Sequence, residues 1–117
     1  MRIERIDSAA TKGWLAGPWD SNLAVSLGYA TAGVDDPHLH AELTEVYLVA
    51  RGASRLRVEQ TTRNLSAGDA VIIEPGEAHT FLWSSPEYLH FVIHIPDLAG
   101  QRAKSEKVAV PRSRLGL

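Results

Sequence analysis

His38, His40 and Glu45 are the first residues of this sequence whose types and spacing suit chemistry. In an extended strand alternate side chains share a face, so His38 and His40 project together. Two imidazoles and a carboxylate converging on one point are nitrogen and oxygen donors of the kind a divalent transition metal prefers. A strand-borne pair cannot complete a site. A further candidate donor stands at His79, in the stretch GDAVIIEPGEAHTF. A lone histidine is usually structural or surface-exposed, but four donors in this order are a different matter. Glu42 is the rival carboxylate. It has the wrong parity beside a strand beginning near Glu45.

The segment from Gly33 to Gly52, GVDDPHLHAELTEVYLVARG, reads G-x4-H-x-H-x4-E-x6-G, and it is followed by G-D-x5-P-G-x2-H. This pair of motifs resembles the two signatures of the cupin superfamily, small β-barrels of jelly-roll type. The resemblance covers most of the chain. It implies an all-β, cupin-type jelly-roll barrel, with metal ligands carried over residue by residue to His38, His40, Glu45 and His79. The departures are small. The loop from Gly33 to His38 is one residue shorter than the commonest form, Glu74 occupies the usual proline position ahead of Pro75, and Trp83 stands where many members carry Asn. None removes a ligand.

The elements that must position these residues read as short strands with turn signals every eight to twelve residues, the pattern of a sandwich or barrel. Residues 2–6 suit an opening strand anchored by Ile3 and Ile6. GWLAGPW reads as a loop whose Trp14 and Trp19 cover the barrel end or a partner subunit, as packing rather than ligand stacking. Leu23, Val25, Leu27 and Tyr29 alternate with smaller residues at period two. Pro37 holds the chain extended into His38. Further strands are expected over Glu45 to Ala50, Arg55 to Glu59, Val71 to Ile73, His79 to Trp83 and Tyr88 to Ile95. Turns are expected at Arg63-Asn64 and at Ser66 to Asp69. Leu98 to Lys107 suits a short C-terminal helix that Pro111 stops. The whole forms one domain, 1–117, with a barrel core at about 20–96, an N-terminal arm 1–19 and a C-terminal tail 97–117.

Parity turns the motif into a pocket. If Glu45 points inward, so do Tyr47 and Val49; if His79 points inward, so do Phe81 and Trp83. On the last strand Phe91 and Ile93 belong to a wholly apolar face. A pocket should be dry, so that face is expected inside, with His90 and His94 outside and away from the metal. Such a lining suits a small, partly hydrophobic organic molecule. Arg55 and Arg57 share a face that sequence does not assign to either side.

The 117 residues fit one domain. With 44% hydrophobic and 22% charged residues, the composition is that of an ordinary globular protein. A formal net charge of -2 gives no general reason to expect nucleic acid as a partner. The tail after Pro96 is basic, and its expected state is a solvated segment. Without cysteine, disulfides and zinc–thiolate sites are excluded, so any metal must rest on His and carboxylates. No signal peptide and no membrane span are expected, which makes the cytoplasm the default location.

Three imidazoles and one carboxylate would leave a six-coordinate ion two open positions. The expected cofactor is therefore one divalent transition metal ion: Fe, Mn, Ni, Cu or Zn. The expected function is a metal-dependent small-molecule enzyme, an oxygenase first, with decarboxylase or isomerase chemistry behind it. No general base stands out beyond the ligands, which weakens the isomerase reading. The alternative is a non-catalytic module that senses a metal or small ligand, although the chain has no room for an output domain. A metal-free isomerase is disfavoured by the complete ligand set. A homodimer, paired through an edge strand or an outer sheet face, is the expected assembly.

Overall fold

β-Branched and aromatic residues alternate here with small or polar ones between turn residues, and the chain folds accordingly into strands. The computed structural model describes residues 1–98 and 105–117. Its strands are β1 (Lys12–Ala16), β2 (Ser26–Ala30), β3 (His38–His40), β4 (Thr44–Arg51), β5 (Ala53–Val58), β6 (Thr61–Ser66), β7 (Ala70–Ile73), β8 (His79–Ser84), β9 (Leu89–Ile95) and β10 (Lys107–Ala109), followed by a 3-10 helix, Arg112–Leu115. They form two five-stranded sheets with the orders β1-β2-β9-β4-β7 and β10-β3-β8-β5-β6. Every pairing is antiparallel. This is the all-β jelly roll that the motifs implied.

Between the sheets, Tyr47, Val49, Leu56, Leu65, Ile73, Phe81 and Tyr88 form the dry core. The inner face of β2 contributes little to it. Ser26, Gly28 and Ala30 point inward there, in register with His94, Val92 and His90 of β9, and their small side chains leave space beside the core.

Several local expectations are corrected. Residues 2–6 form no strand; β1 takes that sheet edge, and Arg2 ties the segment down through Asp20 Oδ2 at 2.7 Å and the Leu15 carbonyl at 3.2 Å. GWLAGPW is not a loop throughout, because its first half belongs to β1. Its glycine serves packing rather than turning: a Cβ on Gly13 would lie 2.9 Å from the Tyr29 ring, and one on Gly28 would lie 2.7 Å from the Trp14 ring. Trp14 and Trp19 are not core residues, since both stay more than half exposed. Arg63-Asn64 lies inside β6, and the turn falls earlier, where Glu59 adopts φ 47°.

The tail is not a solvated segment. β10 pairs with β3, Leu115 is fully buried, and the Arg57 guanidinium donates to the Leu115 carbonyl at 2.9 Å. That contact also places Arg57 outside the barrel. The expected helix Leu98 to Lys107 falls largely on residues 99–104, outside the described residues, and Lys107 itself opens β10. Among the described residues no helix is long and apolar enough to cross a membrane.

Candidate metal centre

β3 carries His38 and His40, β4 carries Glu45 and β8 carries His79. The cross-strand pair His38–His79 brings two of the imidazoles directly together, with ring centroids 4.4 Å apart. All four side chains are buried, and one ligand atom from each lies within 4.8 Å of every other.

The hydrogen bonds fix which nitrogen faces the centre. His38 Nδ1 lies 2.7 Å from the Asp36 carbonyl, and His79 Nδ1 lies 3.0 Å from the Glu77 carbonyl. A carbonyl can only accept, so each Nδ1 carries the proton. His40 Nδ1 donates likewise to the buried Glu106 carboxylate at 2.8 Å. The three Nε2 lone pairs are therefore left for the centre. There His79 Nε2 is 3.1 Å from Glu45 Oε1, and His40 Nε2 is 3.4 Å from Glu45 Oε2. Lone pair would face lone pair at both contacts unless a cation or a proton lies between. His40 Nε2 is also a buried polar atom with no hydrogen-bond partner. The donor set thus fits a divalent transition metal, with each imidazole oriented by an outer acceptor.

The electrostatics agree with a site built around negative charge. Burial alone would raise the Glu45 carboxyl, but the imidazoles of His40, His79 and His94 gathered around it outweigh burial and hold the group far below the usual carboxylate range. Burial lowers His38 to about 4. For His40, burial is outweighed by Glu45 and Glu106, and the net shift is upward. Burial and the neighbouring Glu45 charge raise Tyr47, whose hydroxyl donates to Glu45 Oε1 at 2.5 Å.

Beside the cluster lies a cavity of about 480 Å³. Tyr47 and Phe81 line it; Val49 faces the same side of β4 but belongs to the dry core. Trp83 does not line it. A β-bulge in β8 sets Phe81 opposite Leu56 and Trp83 opposite the neighbouring Arg55, so the two aromatics fall on opposite faces and Trp83 is half exposed.

The faces of β9 are likewise the reverse of expectation. Glu45, Tyr47 and Val49 stand directly opposite His94, Val92 and His90, so the histidines point inward and Phe91 and Ile93 outward. His94 Nε2 reaches Glu45 Oε2 at 2.6 Å. Apolarity on β9 marks the outer surface of the sheet, while the inner face serves a cavity that needs polar groups.

Sequence reasoning also missed Glu106, Lys12 and Lys107, and it read Trp14 as packing rather than as a wall of the cavity. Glu106 lies in what read as a tail. Trp14 packs edge-on to His94 at 5.1 Å and lines the cavity with Lys12 and Lys107, which sit on the two edge strands β1 and β10. Pairing of β10 with β3 is the feature that brings Glu106 and Lys107 here, and no local pattern announces it.

Comparison with known proteins agrees with this architecture. The family model described as a cupin domain matches residues 27–95. No curated protein matches the chain by sequence. Among solved structures, KdgF from Halomonas sp. is similar at 20% identity, covering 74% of this chain and 78% of its own, with a TM-score of 0.62. A Cupin 2 conserved barrel domain protein from Salinispora arenicola is 16% identical, covering 90% and 94%, with a TM-score of 0.64. Pac13, described as a nucleoside dehydratase and known from Streptomyces, is 9% identical, covering 86% and 85%, with a TM-score of 0.66. At these identities the likeness is one of fold.

Proposed function

Because this chain belongs to the cupin domain family, we propose that it is a metal-dependent enzyme acting on a small organic molecule, with oxygenase chemistry as the first reading. The observation that carries the proposal is the set of three inward Nε2 lone pairs and one carboxylate, each imidazole pinned from behind. His38, His40, Glu45 and His79 would hold the ion. A divalent transition metal in such a donor set supplies Lewis acidity and, where the metal is redox-active, electron exchange with dioxygen.

The protein's own contribution is placement. Tyr47 and His94 each hold an oxygen of Glu45 and so fix how its carboxylate is presented. Phe81, Val92 and the Tyr47 ring give the cavity an apolar wall that excludes water. Lys12 and Lys107 form no ion pair among the described residues. Two such uncompensated cations on the edge strands favour an anionic organic ligand.

Elemental analysis of protein purified without chelator or added metal tests the reading, followed by oxygen-consumption assays on the reconstituted protein. One transition metal per chain, lost in His79→Ala, is the expected result. A wild-type protein that takes up no transition metal would overturn it. Stoichiometric metal without turnover of any organic acid would favour the binding-module alternative.

For assembly we propose a second copy of this chain on the outer face of the β1-β2-β9-β4-β7 sheet. By register, Leu27, Val46, Leu48, Ile72, Phe91, Ile93 and Ile95 share that face, with the charged Arg51 at its end opposite Leu89. Leu48, Ile72 and Ile95 remain 39%, 63% and 43% exposed. Such a contiguous apolar face is what an isologous dimer buries.

A further inference from the structure

His90 has no part in the metal cluster, yet it is buried and lines the cavity. Its Nδ1 lies 2.8 Å from the hydroxyl of Tyr88, a side chain with no exposure at all. The Ser54 hydroxyl also stands beside the phenol, but among the described residues only the His90 contact has good hydrogen-bond geometry. The phenol proton is therefore assigned to His90 Nδ1, its one well-formed acceptor. His90 then carries its own proton on Nε2, which has no hydrogen-bond partner among the described residues. The imidazole is clamped, stacked on Phe81 at 5.4 Å and 4.6 Å from the Tyr47 ring. Burial also lowers it to about 4, so near neutrality it is a neutral donor.

The register supplies a second group. Lys12 stands opposite Ala30, and Ala30 stands opposite His90, so the three occupy one row across β1, β2 and β9 on the inner face. At ~4.8 Å between neighbouring strands, Lys12 and His90 start about 10 Å apart, with only the methyl of Ala30 between them. A single tyrosine ring, Tyr47, separates this row from His79 of the metal cluster.

We propose that the row Lys12–Ala30–His90 is a carboxylate subsite. The His90 Nε2–H donates to one carboxylate oxygen, and the Lys12 ammonium supplies the opposing charge over Ala30. The ligand is then a compact ring-bearing carboxylic acid whose far end reaches the cluster of His38, His40, Glu45 and His79. Its body lies along Tyr47 and Phe81. The subsite rests on the metal-dependent reading only for what holds that far end; the donor and the ammonium are in place without a metal.

The test compares 3,4-dihydroxybenzoate with 4-methylcatechol, two probes that share the chelating end and differ in the carboxylate. Binding is measured by calorimetry on the protein as purified, with its metal content recorded. Wild type should prefer the acid at least ~10-fold, the scale of one charge-assisted hydrogen bond. His90→Phe and Lys12→Met should each remove most of that preference while leaving 4-methylcatechol affinity and metal content unchanged. If His90→Phe folds poorly, Tyr88→Phe/His90→Phe removes both buried polar partners together and replaces it. Nitrogen-resolved NMR of wild type should show the His90 proton on Nε2.

Equal affinity for the two probes, a preference unmoved by these variants, or a proton on Nδ1 would overturn the subsite. A protein that takes up no transition metal yet still prefers the acid through His90 and Lys12 would uphold the subsite and overturn the metal reading instead.

Discussion

Glu106 Oε2 stands 2.8 Å from His40 Nδ1, both side chains buried, and the two meet from segments 66 residues apart. A carboxylate behind a ligating imidazole fixes its tautomer and ring orientation and raises its basicity. Glu106→Ala should therefore weaken metal affinity about 10- to 100-fold while leaving one metal per chain. A competition titration against a calibrated chelator reads this directly. Affinity equal to wild type would mean that Glu106 only fills space.

Metal uptake should depend on pH further toward alkaline than an ordinary histidine would dictate. Burial pulls His40 down, Glu45 and Glu106 overcome it, and the net shift is upward from 6.5. The metal-free protein then keeps a proton on His40 above that value, and the metal must displace it. His38, lowered to about 4, offers no such competition near neutrality. Affinity should rise from about pH 6 to about pH 8, with proton release seen as a buffer-dependent heat of binding. A flat profile with no proton released would contradict the assignment.

His90 should make the metal-free fold acid-sensitive. An unfolded histidine gains its proton near 6.5, whereas burial delays this in the folded chain to about 4. Between those values the unfolded chain binds more protons, so stability falls as pH falls. The loss approaches about 3 kcal/mol by the lower limit. Urea unfolding of wild type and Tyr88→Phe/His90→Phe at both ends of the window isolates this share; equal pH dependence in the two proteins would rule it out.

The bulge in β8 predicts opposite outcomes for two neighbouring aromatics. Phe81 is 3% exposed and wedged among core residues, so Phe81→Ala should cost about 3–5 kcal/mol. Trp83 is half exposed, and Trp83→Ala should stay within about 1 kcal/mol with metal content unchanged. A large loss for Trp83→Ala in the monomer would return it to the interior.

Ile72 and Leu48 probe the apolar sheet face. Ile72→Glu or Leu48→Glu would bury a carboxylate in a self-associating contact and should turn a dimer into a folded monomer by analytical ultracentrifugation. A wild-type protein that sediments as a monomer would refute the assembly.

The succession of strands was legible from local rules, two-residue periodicity and turn residues, whereas the jelly roll and the set of four donors were legible through the family resemblance that the two motifs carry. What was misread depends on how strands meet. Phe91 and Ile93 looked interior because they are apolar, but pairing with β4 puts His90 and His94 on the Glu45 face. Trp83 obeyed alternation only as far as a bulge that its own sequence does not mark. Glu106 was invisible because its value arises from a chain return that joins β10 to β3. Gly13 looked like a turn residue, whereas it provides room for Tyr29.

The small inner face of β2 separates two properties that usually trade against each other. Ser26, Gly28 and Ala30 are not among the four donors, yet Ala30 lines the cavity beside them. Bulk added at Ala30 would narrow what enters without disturbing what reacts. Gly28 is closed to such tuning, because a Cβ there would meet the Trp14 ring at 2.7 Å and the Gly13 carbonyl at 2.8 Å. Size discrimination and reactivity can therefore drift independently in this barrel, with Ala30 as the adjustable position and Gly28 as the fixed one.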